Sequence, residues 1–326
     1  MIHLFRKFTP SNLAFLIVIA FILCAGAFFH LPEAFHPLLF EKAIMTFLSG
    51  FSHITLSPQS NVVITLVITV TQALLLNRIV DNHNLLGKPT FLPALMYVTT
   101  ASLLLPFLAL TPTLICNFVL IWMIDKLLKT YHRSEVKSTL FDLGMLVAVG
   151  TLFYFPFILM LLVLWVALIL FRPFDWREWV AGLLGFATVY FLLGIIYLWN
   201  DKIGEFYAIW KPLTNPIPTS FTIELYDYWV LLPLGLILLL FFNTLRENYY
   251  KSVVPVRKSF QLLFFMFLFG VLSYYLKAHT PDYHFLICAP PISIYMAYYF
   301  NFAKTAWFYE SVYALLLVAI LYFQFF

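Results

Sequence analysis

Charge is what this chain has least of. Only 10% of its 326 residues are charged, against about 25% in a typical soluble domain. The rest is 63% hydrophobic and 20% aromatic, with a mean hydropathy of +0.93. A soluble core of this length cannot hide so much apolar surface, so lipid must be the solvent for most of the chain. Glycine is scarce as well, at 11 residues, and no phosphate-cradling GxxxxGK[ST] loop occurs. GxSxG and HExxH are also missing, which removes the serine-hydrolase and zincin readings. Three cysteines, Cys24, Cys116 and Cys288, lie far apart in apolar runs. No CxxC pair or His/Cys cluster gives zinc or haem spacing, so they read as small buried hydrophobes. There is no low-complexity tract, soluble domain or clear internal repeat. The net charge of +4 is modest, and no nucleic-acid partner is expected.

What is present is a succession of apolar runs. The first, from Asn12 to His30, follows a basic start, but no small-x-small cleavage site precedes the next run, so it reads as a retained transmembrane helix. The runs lie near 12–30, 61–79, 91–108, 112–127, 140–155, 157–171, 178–199, 228–243, 260–276, 285–300 and 308–326. The expected fold is therefore all-α: a polytopic helical membrane protein of about eleven transmembrane helices, as one integral membrane domain over 1–326. Phe141 to Phe171 is too long for one crossing and short for two, with Pro156 midway. It is either a kinked helix or a shallow hairpin.

The basic residues arbitrate, because they mark the cytoplasmic side. Lys126, Lys129, Arg133 and Lys137 precede this stretch, and Arg172 and Arg177 follow it, which favours the hairpin. With the N-terminus inside and the C-terminus outside, 15 of the 19 Lys and Arg fall on the inner side. Only Lys42, Lys202, Lys211 and Lys277 fall outside. The localisation expected is a bacterial inner membrane.

Two outer segments are long. In 31–60, Phe40, Ile44, Phe47, Leu48 and Phe51 recur at helical spacing, as in an amphipathic helix lying on the membrane surface. In 201–228, the start Asp201 to Trp210 reads as a second interfacial helix, and Trp199, Trp210 and Trp229 fit an aromatic belt. The third outer segment is short: Lys277, His279, Asp282 and His284 fall within eight residues, just ahead of Pro290 and Pro291. The two prolines read as lying about two turns into the tenth span, leaving carbonyls near Leu286 and Ile287 without their helical donors.

Acids inside the membrane would suggest an ion-coupled carrier. Here every acid lies in a loop or near a helix end, and mid-span polarity is left to Gln72, Asn117 and scattered Ser and Thr, which read as helix–helix hydrogen bonds. His83 reads as a turn residue. Chemistry is left to the outer face, where Glu33, Glu41, Asp201, Glu205, Glu224, Asp227 and Asp282 lie. An acid at the boundary can deprotonate a hydroxyl or hold a divalent metal, and a nearby Lys or His can pair with a lipid phosphate. No spacing is diagnostic, and the plain alternative for each is a solvated loop residue.

Asn84-Leu-Leu-Gly-Lys-Pro-Thr-Phe-Leu-Pro-Ala94, Phe141-Asp-Leu-Gly144 through Tyr154-Phe-Pro156, Arg172-Pro-Phe-Asp-Trp-Arg-Glu-Trp179 and the 277–300 stretch together resemble an uncharacterised family of bacterial polytopic inner-membrane proteins, to which no activity is assigned. In architecture the chain also resembles the GT-C glycosyltransferases, which take a sugar from a polyprenyl phosphate at the outer face. That likeness rests on the placement of the 30–60 loop and of Tyr283-His-Phe-Leu-Ile-Cys-Ala-Pro-Pro291 after a basic outer residue. It implies Glu33 as the catalytic acid, deprotonating the acceptor or holding a divalent metal, and Lys277, His279 and His284 as holders of the lipid phosphate. The chain departs from that pattern: Glu33 and Glu41 replace a paired acid, and there is no soluble outer domain. Two other functions stay open: a non-catalytic subunit of an envelope assembly, with protein partners, and a lipid or solute carrier.

Overall fold

The structure, a computed structural model, describes residues 1–29, 57–131, 135–214, 227–248, 252–276 and 282–325. Among these residues there are fourteen α-helices and no strand. They are α1 (Ile2–Phe5), α2 (Ser11–Leu23), α3 (Ala25–Phe29), α4 (Pro58–Asn82), α5 (Leu92–Ala101), α6 (Pro112–Thr130), α7 (Lys137–Phe153), α8 (Met160–Phe171), α9 (Trp176–Trp199), α10 (Ile203–Ala208), α11 (Leu231–Asn248), α12 (Val254–Leu272), α13 (Ala289–Phe302) and α14 (Ala306–Phe325). Among the described residues, six helical segments are long and apolar enough to cross a membrane: α4, α9, α11, Val254–Leu276, Asp282–Phe302 and α14. They mark the chain as a membrane protein. α6 is long enough, at 19 residues, but carries Asp125, Lys126 and Lys129 in its last two turns.

Local chemistry sets the helix starts. Ser57 caps α4, its Oγ accepting from the Ser60 N–H at 3.3 Å, and Pro58 opens the helix. Thr111 and Pro112 do the same for α6. Asp175 caps α9, accepting from the Arg177 N–H at 3.0 Å. These residues satisfy donors that a helix start leaves open.

Two helices form the centre. All ten residues of α5 are buried, as are Ala289 to Asn301 of α13, and the two pack against each other. Around them, α2, α4, α9, α11, α12 and α14 each bury one side and expose apolar side chains such as Phe21, Val67, Phe191, Leu239 and Val318 on the other. An apolar outward face of this extent marks a surface that lipid or another protein covers. The tightest seam joins α7 to α9. A Cβ at Gly144 would lie 2.0 Å from the Gly182 carbonyl oxygen, and one at Gly185 would lie 2.0 Å from the Phe141 oxygen. Glycine lets these backbones touch, the usual device between membrane helices.

Contacts sort the loops to two ends. At one end, which we call the basic end, the Arg6 guanidinium donates to the carbonyls of Phe300 (2.8 Å) and Ala303 (2.6 Å) and lies 4.3 Å over the Tyr309 ring. The Phe91 N–H donates to the Phe5 carbonyl, and Asn301 donates to the Leu86 carbonyl, both at 3.0 Å. His83 meets Asp125 at 3.0 Å, Lys126 meets Asp142 at 2.7 Å, and Lys258 lies 5.5 Å over Tyr131. At the opposite end the Phe29 and Phe325 rings are 5.3 Å apart. There Asn61 accepts from the Leu110 N–H at 2.7 Å, Thr113 donates to the Tyr283 carbonyl at 3.0 Å, and Phe155 packs 6.3 Å from Trp210.

Phe141 to Phe171 is a hairpin. Asp142 meets Lys126, and Phe171 packs 5.7 Å from Tyr131, so both of its ends lie at the basic end. The turn is an extended Tyr154 followed by a 3-10 helix, Phe155–Leu159, that carries Pro156.

Three expectations change. The 91–108 run is not one span: α5 ends at Ala101, and a 3-10 turn follows at Leu105–Leu108 with Pro106 in it. The 12–30 run breaks at Cys24, between α2 and α3. Pro290 and Pro291 do not lie two turns into a helix. A 3-10 helix, Asp282–Cys288, precedes them, and they occupy the first turn of α13, where proline's missing N–H costs least. The second interfacial segment is helical at α10. The amphipathic helix expected within 31–60 lies outside the described residues.

Candidate functional site

The residues singled out in the sequence fare differently. Glu33, Lys277 and His279 lie outside the described residues. His284 does not. It is fully buried in the 3-10 helix Asp282–Cys288. The Tyr154 hydroxyl lies 2.8 Å from His284 Nδ1, and the Gly270 carbonyl oxygen lies 3.0 Å from Nε2. A carbonyl can only accept, so the network assigns the ring proton to Nε2 and makes Nδ1 the acceptor from Tyr154. Ser273 donates to the same Gly270 carbonyl at 2.7 Å and lies 3.2 Å from Nε2. His284 thus ties the hairpin turn at Tyr154 to the end of α12. Its 3-10 segment turns the side chain inward, although sequence neighbours Asp282 and Tyr283 stay partly exposed.

A second buried network runs on the other side of the same segment. Gln72 donates to the Leu114 carbonyl at 2.6 Å and accepts from the Tyr97 hydroxyl at 2.8 Å. Asn117 donates to the Tyr97 oxygen at 3.2 Å and to the Leu286 carbonyl at 3.0 Å. Leu286 belongs to the 3-10 helix Asp282–Cys288, so Asn117 ties α6 to that segment. The mid-span polar pair Gln72 and Asn117 is therefore engaged with the protein itself, as the helix–helix hydrogen-bond reading expects.

Beside these networks lies an apolar cavity of about 270 Å³. Thr100, Phe107, Gly235, Phe267, Phe285 and Ile292 are among its lining residues. They come from the end of α5, the start of α11, the end of α12 and the start of α13, so the cavity belongs to the end opposite Arg6. Phe285 and Cys288 line it one residue or one turn from His284. Its wall is almost wholly hydrocarbon, with Thr100 the one hydroxyl. Such a wall takes an acyl or isoprenoid chain, not a sugar or an ion. Sequence reading missed it because a cavity between helices is a tertiary property.

The Arg172-to-Trp179 stretch holds a clasp on the buried Glu178. The Arg172 guanidinium meets the Glu178 carboxylate at 3.0 and 3.1 Å, and Trp165 stacks on Trp179 at 6.0 Å. The three cysteines are buried and unpaired. Among the described residues, no three His, Cys, Asp or Glu side chains come together so as to hold a metal ion.

The same stretches carry a family assignment. A model of a family of unknown function, DUF6427, matches residues 33–326. The chain belongs to DUF6427. The match takes in the hairpin, the Arg172–Glu178 clasp, the 3-10 segment around His284 and the apolar cavity. No curated protein and no solved structure matches the chain.

Proposed function

We propose that the protein handles a lipid at the outer face of the membrane, seating its hydrocarbon chain in the cavity between α5, α11, α12 and α13. That cavity is the observation that carries the reading. The reading takes the orientation expected from the basic residues, in which the basic end would face the cytoplasm and the cavity would lie in the outer half of the bilayer. The Asp282–Cys288 segment forms part of the cavity wall, and the chain enters that segment from Lys277 and His279. A lipid whose tail filled the cavity would carry its headgroup at the outer boundary.

The reaction form of this reading is glycosyl transfer from a polyprenyl phosphate. Lys277 and His279 would hold the phosphate. Glu33 would deprotonate the acceptor or hold a divalent metal. His284, committed to Tyr154 and Gly270, would hold the wall of the seat in position.

The experiment uses the full chain in lipid nanodiscs and a photoactivatable polyprenyl phosphate. Crosslinks should map to α11 and α13. Gly235→Leu, at a position with no atom within 4 Å of an added Cβ, should abolish them by filling the cavity. Labelling that survives this change unaltered would remove the seat. Sugar transfer retained in full by Glu33→Gln would remove the glycosyl-transfer form while leaving the seat standing.

A further inference from the structure

A second groove lies at the basic end, and it shares no lining residue with the cavity above. It measures about 630 Å³ and runs between α4 and α7, with α6 as its floor. Its lining changes character along its length. Arg78, Asn82, Asp125 and Lys129 stand at the end near the helix termini, and Leu75, Phe118, Leu146 and Val149 line the deeper part. Trp122, more than half exposed, lies between them.

The charges at the mouth are not balanced. Asp125 is shared by Lys129 and by His83, the latter at 3.0 Å. Arg78 is exposed, and among the described residues it has no hydrogen-bond or ion-pair partner. A guanidinium with free N–H groups at a membrane boundary, above an apolar slot, matches a phosphate above an acyl chain. Trp122 lies where an amphipathic ring favours the headgroup level.

We propose that this groove binds one anionic phospholipid, its phosphate on Arg78 with Lys129 beside it, and one acyl chain along Phe118, Leu146 and Val149. The site rests only on the bundle standing in a bilayer. It is independent of the outer seat, so a failed Gly235→Leu result leaves it untouched.

The test uses the full chain purified in a mild non-ionic detergent. Thermal unfolding and native mass spectrometry are recorded with phosphatidylglycerol, with phosphatidylcholine of identical chains, and with inorganic phosphate alone. Phosphatidylglycerol should raise the melting temperature and stay bound at one per chain, with phosphatidylcholine weaker, because its choline cation offsets the phosphate charge and is repelled by Arg78 and Lys129. Arg78→Gln should lower phosphatidylglycerol affinity by about tenfold. Arg246→Gln removes the same charge from the exposed last turns of α11, outside the groove, and should change nothing. Val149→Trp should displace the acyl chain and weaken both lipids. Equal binding of the two lipids, equal losses in Arg78→Gln and Arg246→Gln, undiminished binding in Val149→Trp, or a full temperature rise from inorganic phosphate alone would each overturn the site.

Discussion

Asn117 donates its side-chain N–H to the Leu286 carbonyl at 3.0 Å, joining α6 to the 3-10 helix ahead of Pro290. The same amide donates to the Tyr97 oxygen at 3.2 Å, so one side chain links α6 both to α5 and to the 3-10 segment. Such links satisfy buried polar groups from within the protein.

The link makes a cycle of variants informative. Asn117→Leu should cost about 1–3 kcal/mol, because it removes the donor bonds to the Tyr97 oxygen and to the Leu286 carbonyl. In a Tyr97→Phe background, where the first of these bonds is already gone, Asn117→Leu should cost clearly less. Thermal unfolding of the four proteins in detergent would reveal the coupling. Additive effects would mean that the two side chains act independently.

The α7–α9 seam makes a sharper demand. Val at Gly144 or Gly185 places atoms where a carbonyl oxygen now lies, 2.0 Å from the ideal Cβ. The helices must part, costing at least about 1–3 kcal/mol for overpacking and more where backbone has to move. We expect little folded protein by size-exclusion chromatography. Gly204→Ala, where an added Cβ meets nothing within 4 Å, should elute as wild type.

Arg172 and Glu178 form a pair whose side chains are 17% and 5% exposed. Arg172→Leu strands a buried carboxylate and should cost about 3–5 kcal/mol, whereas Arg172→Met with Glu178→Leu should be milder than either single change. Chemical denaturation of the three variants checks the order. A double variant less stable than both singles contradicts it.

Tyr154→Phe removes the hydroxyl that donates to His284 Nδ1. Interhelical hydrogen bonds in membrane proteins are worth roughly 0.6–1.7 kcal/mol, and the melting temperature should fall accordingly. His284→Leu loses the Gly270 contact as well and should fall further. If the two fall equally, the Gly270 contact contributes nothing.

Much of the fold was legible in the sequence, because its main determinants are one-dimensional. Lys126 to Lys137 before the Phe141–Phe171 stretch and Arg172 after it pointed to the hairpin, and contacts at both its ends bear that out. Pro290 pointed to unpaired carbonyls near Leu286, but the prolines open α13 and Leu286 lies in a 3-10 helix ahead of them, an arrangement that hydropathy does not distinguish from one long helix. Apolar runs were less informative where a helix faces protein. α5 and a lipid-facing helix have similar composition, so hydropathy could not show that α5 is buried on every side and stops at Ala101. His284 shows the same limit. Its neighbours Asp282 and His279 suggested a polar loop, and only the 3-10 turn decides that this imidazole points at Tyr154. The two cavities left no local pattern, because each is assembled from helices far apart in the chain.

The clamp on Arg6 has a temporal consequence. Its acceptors, the carbonyls of Phe300 and Ala303, come 294 and 297 residues later in the chain. At a synthesis rate of about 5–20 residues per second, the guanidinium waits roughly 15–60 s for its partners. During that interval the first helices are held at the basic end by contacts such as that between Phe5 and Phe91, and the bundle stays open along the side that α13 and α14 will fill. Closing the bundle is therefore a late event, and a ribosome stalled before Phe300 would leave Arg6 exposed to any other acceptor within reach.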